Sequence, residues 1–541
     1  MKPRLTKDLK VQFLGIIPYL EDKTGVLTPQ QIVSLSALLT FKGKSIKTLL
    51  EESVEKGENI REKIQNILRR SSLRGHASIS TTPSICLAYE GSKFLDSMLT
   101  GIVFSSSLVS SGRRTKTSVD DIIFPDKIYS NKSAKNIYEV ASKENIETFN
   151  YLLSRDIKND EASKILQYGI YGTGIINLPI ESIVSLEREY QLEKEWMPEE
   201  TKLLLEKIKR KTIEFGVDWL IATREAAPRN AYPYPNIFKN PKTSNMARDL
   251  RKKIKLPEGT KMISMETLAT PDFLRRIKAF SKKLNSISKS PAAIKRSWFN
   301  VILSRREILR DHNLALRFQI LSSIPWRVWG EKKRHRTVPM VIESLYYCVN
   351  RAARALHIFK AKIRRGEFSG KMIKEIDDYF SVPPKIRNNP ELLKRYLTSA
   401  INSFKCYKKL LKLGIKPASA VFVVPRAVRL DILQSYDLYN LLTGYYPLRL
   451  CATAEEEMRR FSVKEANEIK KALKRKGLAI LADLIGPKCE GIGFCPEEKS
   501  CGYIKSKVKG YNDKFHKEMK DDLEKKFQKN LSLIHNSGKS K

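Results

Sequence analysis

The sequence contains no run of 18 or more apolar residues, which excludes a conventional membrane-spanning helix. Its opening, Met1-Lys-Pro-Arg-Leu-Thr-Lys7, lacks the apolar core of a signal peptide, so a cytoplasmic protein with no membrane partner is expected. Cysteine is scarce, seven in 541 residues, which fits that compartment. Cys86, Cys348, Cys406 and Cys451 are scattered and read as small buried apolar residues. Acid is scarce as well: 59 Asp and Glu stand against 100 Lys and Arg, a formal net charge of +41. Such an excess repels itself in a lone globule and favours a polyanionic partner, RNA or DNA above all, or a cluster of bound phosphates. No single nucleotide site needs that much charge.

What is present is enough for folding. With 41% apolar residues in 541, the chain can build two or more domains, each with its own core. Val11 to Ile17 reads as a short buried strand, and Thr28-Pro29 as a cap with proline in the first turn, opening a helix through Leu39. Apolar residues at helical spacing run from Ile46 to Leu68, and an apolar helix is expected over Ile85 to Met98. Asn136 to Leu166 reads as two helices broken at Asp156-Ile157-Lys158, and Met246 to Lys283 as a basic helical stretch. Between them, four prolines in 226–244 rule out a helix and suggest an extended connection. Trp326 and Trp329, three apart, share a helical face and point to core packing.

The densest chemistry lies in Glu331-Lys-Lys-Arg334-His335-Arg336, followed by an apolar stretch with Ser344 and Tyr347. Neighbouring cations repel one another unless an anion sits among them, and phosphate is the natural candidate. A solvated basic face, or one that touches nucleic acid, is the plainer alternative. The order Arg334-His335-Arg336 and then Ser344 and Tyr347 resembles the Arg-His-Arg and Ser-x-Arg-Tyr signature of flavin-dependent thymidylate synthases. Pro339 stands where that family has its first Ser, Tyr346 where it has the phosphate-binding Arg, and Glu331 where Gln is common.

The same resemblance extends upstream. His76-x-Ser78 and Glu90-Gly-Ser92 are similar to the segment that precedes Arg-His-Arg in the family. Counting on by the family's spacing places Gly101-Ile102-Val103 on the triplet, Ser106 on the first Ser, and Ser111-Gly112-Arg113 on Ser-x-Arg. Tyr151-Leu-Leu with Asp160 to Leu166 returns as Tyr407 to Leu411 with Gly414 to Arg426, an internal repeat of roughly 250 residues. Arg449, in Leu448-Arg449-Leu450, resembles the family's pyrimidine-binding Arg.

The resemblance implies an α+β fold, mostly helical with small antiparallel sheets, present as two tandem synthase-like domains. The expected division is 1–225, a Pro-rich linker 226–245, 246–503, and a Lys-rich tail 504–541. It implies FAD held by Arg334, His335, Arg336, His76 and Ser78. It also implies dUMP held by Ser344, Arg449, Ser111, Arg113 and Glu331, with the two copies completing each other's sites. If active, the protein would methylate dUMP to dTMP with NADPH and methylenetetrahydrofolate as co-substrates, and would self-associate through synthase-like interfaces. No residue stands out as a covalent catalyst. The alternative is a pseudoenzyme that keeps the scaffold and binds RNA or DNA through its basic surface. Cys489, Cys495 and Cys501 lack a close fourth ligand, His516 being the nearest His, so metal, disulfide and loop packing all remain open and no metal site is assigned.

Overall fold

The computed structural model describes residues 3–22, 25–112, 116–233, 235–256 and 259–537. The fold is α+β, with many helices around small antiparallel sheets. Among the described residues, no helix is long and apolar enough to cross a membrane.

The first four-stranded sheet comprises β1 (Lys10–Ile17), β2 (Ser84–Ser92), β3 (Ser106–Val109) and β4 (Tyr171–Pro179), in the order β1-β2-β4-β3. Here the sequence expectation of a helix over Ile85 to Met98 fails. Ile85, Leu87 and Tyr89 alternate with less buried neighbours, the period of a strand, and β2 is paired on both sides. Only Lys93–Leu99 is helical. β1 is a strand as expected but is not buried, because it is an edge, paired on one side only and bulged between Phe13 and Gly15.

A second sheet is formed by β5 (Thr260–Thr267), β6 (Leu316–Pro325), β7 (Met340–Ile342) and β8 (Arg429–Asp437), in the order β5-β6-β8-β7. First, second, fourth, third is the strand order of both sheets. In each, the second strand runs straight into a short helix, Lys93–Leu99 after β2 and Trp326–Lys332 after β6. In each, a long helix separates the third strand from the fourth, Lys132–Ser154 in one and Pro390–Lys412 in the other.

Several other elements depart from expectation. The 46–68 stretch is two helices, Ile46–Glu55 and Ile60–Arg70, parted at Gly57, whose φ of 63° is left-handed and costs glycine little. The 246–283 stretch holds a helix, Met246–Lys253, then β5, then a helix, Pro271–Ile287. The break after the long helix Lys132–Ser154 falls where expected, at Asp156 with φ 58°, and a single helical turn, Asn159–Ala162, follows. Among the described residues of 227–245 none is in a helix or a strand.

The chain folds into two compact units. One contains Met1–Asn245, Ile324–Arg336 and Ile342–Leu430; the other contains Met246–Ser323, Thr337–Val341 and Asp431–Lys541. A break falls at Asn245, but the 246–503 segment contributes to both units.

In the first unit the long helices Lys132–Ser154 and Pro390–Lys412 pack together around one buried amide. Asn145 accepts from the hydroxyls of Ser399 and Ser403 at 2.8 Å each and donates to Gln167 Oε1 at 3.2 Å. Beside them Gly169 donates its N–H to the Phe422 carbonyl at 3.2 Å. A methyl group on Gly169 would lie 2.6 Å from both that carbonyl oxygen and Tyr138 Oη, and the backbone atom cannot swing aside. Gly169→Ala is expected to cost about 1–3 kcal/mol, measured as a lower urea midpoint at unchanged slope.

Candidate phosphate-binding cleft

The two strand-to-helix junctions of the first unit supply the charged groups of one cleft. Burial of β2 and β6 fixes where each strand ends, and the residue after each end starts a helix, so the charged side chains that follow are held by rigid elements. Lys93, at the first helical position, donates from Nζ to the Ser110 carbonyl at 3.1 Å and hydroxyl at 2.8 Å. Its ammonium lies 3.8 Å from Asp96 Oδ2, and Asp96 accepts from the Tyr89 hydroxyl at 2.6 Å. From the other junction, Arg327 pairs with Glu331 one turn later, at 3.3 Å.

Lys333 enters from that side and donates to the carbonyls of Asp96, at 2.7 Å, and Ser97, satisfying the exposed carbonyl end of the helix Lys93–Leu99. Arg336 does the same just beyond, to Ile102 O at 3.1 Å and Thr100 O at 3.2 Å. Arg426 donates twice to the Gln167 carbonyl, at 3.1 and 2.9 Å, and stacks over the Tyr168 ring at 4.7 Å.

Lys93, Arg327, Lys333, Arg334 and Arg426 therefore face one hollow that only Asp96 and Glu331 offset. Burial shows in the titration of these groups. Burial, reinforced by Arg426 and Arg327 and opposed by Asp96, pulls the Lys93 ammonium down to about 8. Burial holds Lys333 well below its usual range, and brings Arg426 down to about 10. Cations that are this costly to keep charged are stabilised by an anion placed among them. The hollow measures about 40 Å³, room for about one water or a compact anionic group, and Gly112 lies on its wall.

The candidate residues distribute as follows. Arg334 and Glu331 line the cleft, and Ser111 lies between two lining residues, Ser110 and Gly112. Arg336 binds the Thr100–Ile102 segment, overlapping the Gly101-Ile102-Val103 that the family's spacing is expected to set on the triplet. Arg113 lies outside the described residues. His335 is half-buried beside the cleft but does not line it. His76 and Ser78 line a different cavity, of about 1250 Å³, with the helices Pro29–Lys42 and Ile60–Arg70, so they do not join the triplet. Ser344 is buried and donates its hydroxyl to the Lys239 carbonyl at 2.6 Å, a structural bond rather than a phosphate contact. Arg449 belongs to the second unit. Lys93, Arg327 and Arg426 escaped notice because each sits alone in apolar sequence, and only tertiary folding gathers them. Trp326 and Trp329 are both core residues, as expected.

Residues 315–473, a span that includes β6, Arg327 and the triplet, match the model of the family described as thymidylate synthase complementing protein. More particularly, part of the chain is similar to flavin-dependent thymidylate synthases. It is 33% identical over 124 residues to the flavin-dependent thymidylate synthase of Pyrococcus abyssi, a match covering 23% of this chain and 50% of that one. It is 30% identical over 124 residues to that of Thermococcus onnurineus, with the same coverage. The chain spans about half the length of the curated relatives it matches. Among solved structures, a UMP/dUMP methylase from Streptomyces cacaoi aligns over 42% of this chain and all of its own, at 13% identity and a TM-score of 0.31.

Proposed function

We propose that the chain holds two copies of a synthase-like module, and that their surviving anion-binding groups form one composite cleft for the phosphate of a pyrimidine nucleotide, dUMP being the first candidate. The shared strand order of the two sheets supports the duplication. The observation that carries the binding site is the unbalanced cluster of Lys93, Arg327, Lys333, Arg334 and Arg426, drawn from both copies, on one small hollow. A dianionic phosphate offers acceptors to several of these donors and relieves their mutual repulsion.

FAD does not fit the same residues. An isoalloxazine ring does not enter a hollow of about 40 Å³, and Arg336 is committed to two carbonyls. Methylation of dUMP with FAD, NADPH and methylenetetrahydrofolate therefore does not follow from this hollow. A second reading, a pseudoenzyme that binds RNA or DNA, is favoured by the net charge of +41, which one phosphate site leaves unexplained.

Titration calorimetry of the full chain tests the first reading. dUMP should bind and deoxyuridine should not, and Arg334→Ala, at an exposed position that spares the fold, should weaken dUMP roughly 10- to 100-fold. Equal binding of dUMP and deoxyuridine, or an indifferent Arg334→Ala, would sink it. RNA retention that falls with salt and ignores Arg334 would favour the second reading instead.

A further inference from the structure

Cys451 does not behave as the isolated buried residue that its sequence position suggests. In the second unit it lines one pocket of about 420 Å³ together with Cys489, Cys495 and Cys501. All four are free thiols; three are buried and Cys501 is exposed at the rim. The missing fourth ligand of the Cys489, Cys495, Cys501 series is thus supplied from just before the helix Glu456–Arg475.

Three further features point to a metal group here. The connection 484–512 has a single short helical turn, Tyr503–Ser506, yet carries buried Phe494, Ile504 and Val508. Long connections with so little regular structure are uncommon in compact domains unless function or a cross-link holds them. Arg459, Lys470, Lys488 and Lys499 line the same pocket and outnumber Glu490 and Glu497 there, a net positive setting suited to a centre that gathers four thiolates. The four thiols also line one hollow without being bonded to one another. A tetrahedral zinc about 2.3 Å from each sulfur would hold the sulfurs within about 4 Å of one another. No three His, Cys, Asp or Glu side chains among the described residues converge in a way that could hold a metal ion. A polynuclear centre, with its own volume between the ligands, is the metal group for which a cavity of about 420 Å³ leaves room.

We propose that Cys451, Cys489, Cys495 and Cys501 ligate an iron–sulfur cluster. Cluster assembly releases the protons of the four thiols, because thiolates are the ligands. The proposal is independent of the phosphate cleft.

The full chain, purified without oxygen or reconstituted with ferrous iron and sulfide, tests it. The expected protein is brown, holds iron and acid-labile sulfide in equal amounts, and gives a paramagnetic signal on reduction. Cys451→Ser should lose most of the bound iron, whereas Cys406→Ser, outside the pocket, should keep it. Reconstituted wild-type protein whose four thiols all react with an alkylating agent would overturn the assignment without recourse to any variant. Zinc bound without sulfide would overturn it equally, as would full cluster content in Cys451→Ser.

Discussion

Glu200→Gln should make the protein more stable by roughly 3 kcal/mol at pH 8.5 and leave it nearly unchanged at pH 4. Glu200 is fully buried, where its carboxylate accepts the Ser92 N–H at 2.8 Å and the Ser92 hydroxyl. Burial outweighs those bonds and pushes the carboxyl from 4.5 up to about 7. The folded state therefore holds a proton that the unfolded state gives up. The stability due to that proton is fully present below about pH 4.5 and is lost as pH rises through about 7. Glutamine keeps an acceptor for Ser92 and has nothing to ionise. Urea unfolding of both proteins at several pH values checks this, the wild type losing stability across that window and the variant not. A variant less stable at every pH would mean that the carboxylate's bonds to Ser92 matter more than its burial. The position bears on the cleft, because Ser92 is the last residue of β2 and Lys93 follows it.

Much of this was legible in the sequence, and the failures have physical causes. The tryptophan pair and the break at Asp156 were readable because helical periodicity and turn residues are local signals. The strand β2 was misread as a helix because its alternation, Ile85, Leu87, Tyr89, is filled in by Cys86 and Ala88, small enough to suit either period. In the cleft, Arg334 and Glu331 were found because they belong to a contiguous run. The triplet itself proved divided: Arg334 lines the hollow, whereas Arg336 ties down the carbonyls of Thr100 and Ile102. Lys333, one more cation in a charged run, turned out buried with its donors on helix-end carbonyls. Charge order in a sequence says which cations are neighbours along the chain, and not which will share a cavity. Cys451 shows the same limit, since its partners lie far along the chain and meet it only in the fold.

If a nucleotide phosphate occupies the cleft, its affinity should fall about tenfold per pH unit above pH 8, because Lys93 must be charged to receive it. The folded Lys93 ammonium sits at about 8, below its ordinary 10.5, owing to burial with Arg426 and Arg327 against Asp96. The unliganded fold therefore gains stability as pH rises from about 8 to about 10.5, where the unfolded chain binds more protons than the folded one. Phosphate reverses the preference, raises the lysine's affinity for its proton, and is taken up together with that proton in alkaline solution. Below about pH 6 the phosphate monoester loses its second charge, so affinity falls on that side too, leaving an optimum between about pH 6 and pH 8. Calorimetry of dUMP in two buffers of different ionisation enthalpy reads the proton uptake directly. Lys93→Met removes the ammonium at similar length, so it should weaken dUMP roughly tenfold or more at pH 7 and flatten the alkaline arm. Wild-type affinity that stays constant from pH 7 to pH 9.5, or an alkaline arm unchanged in Lys93→Met, would place the phosphate elsewhere. Lys333 shares the direction of shift and lines the same hollow, so the Lys93→Met variant is what separates the two lysines: an alkaline arm that flattens in it belongs to Lys93.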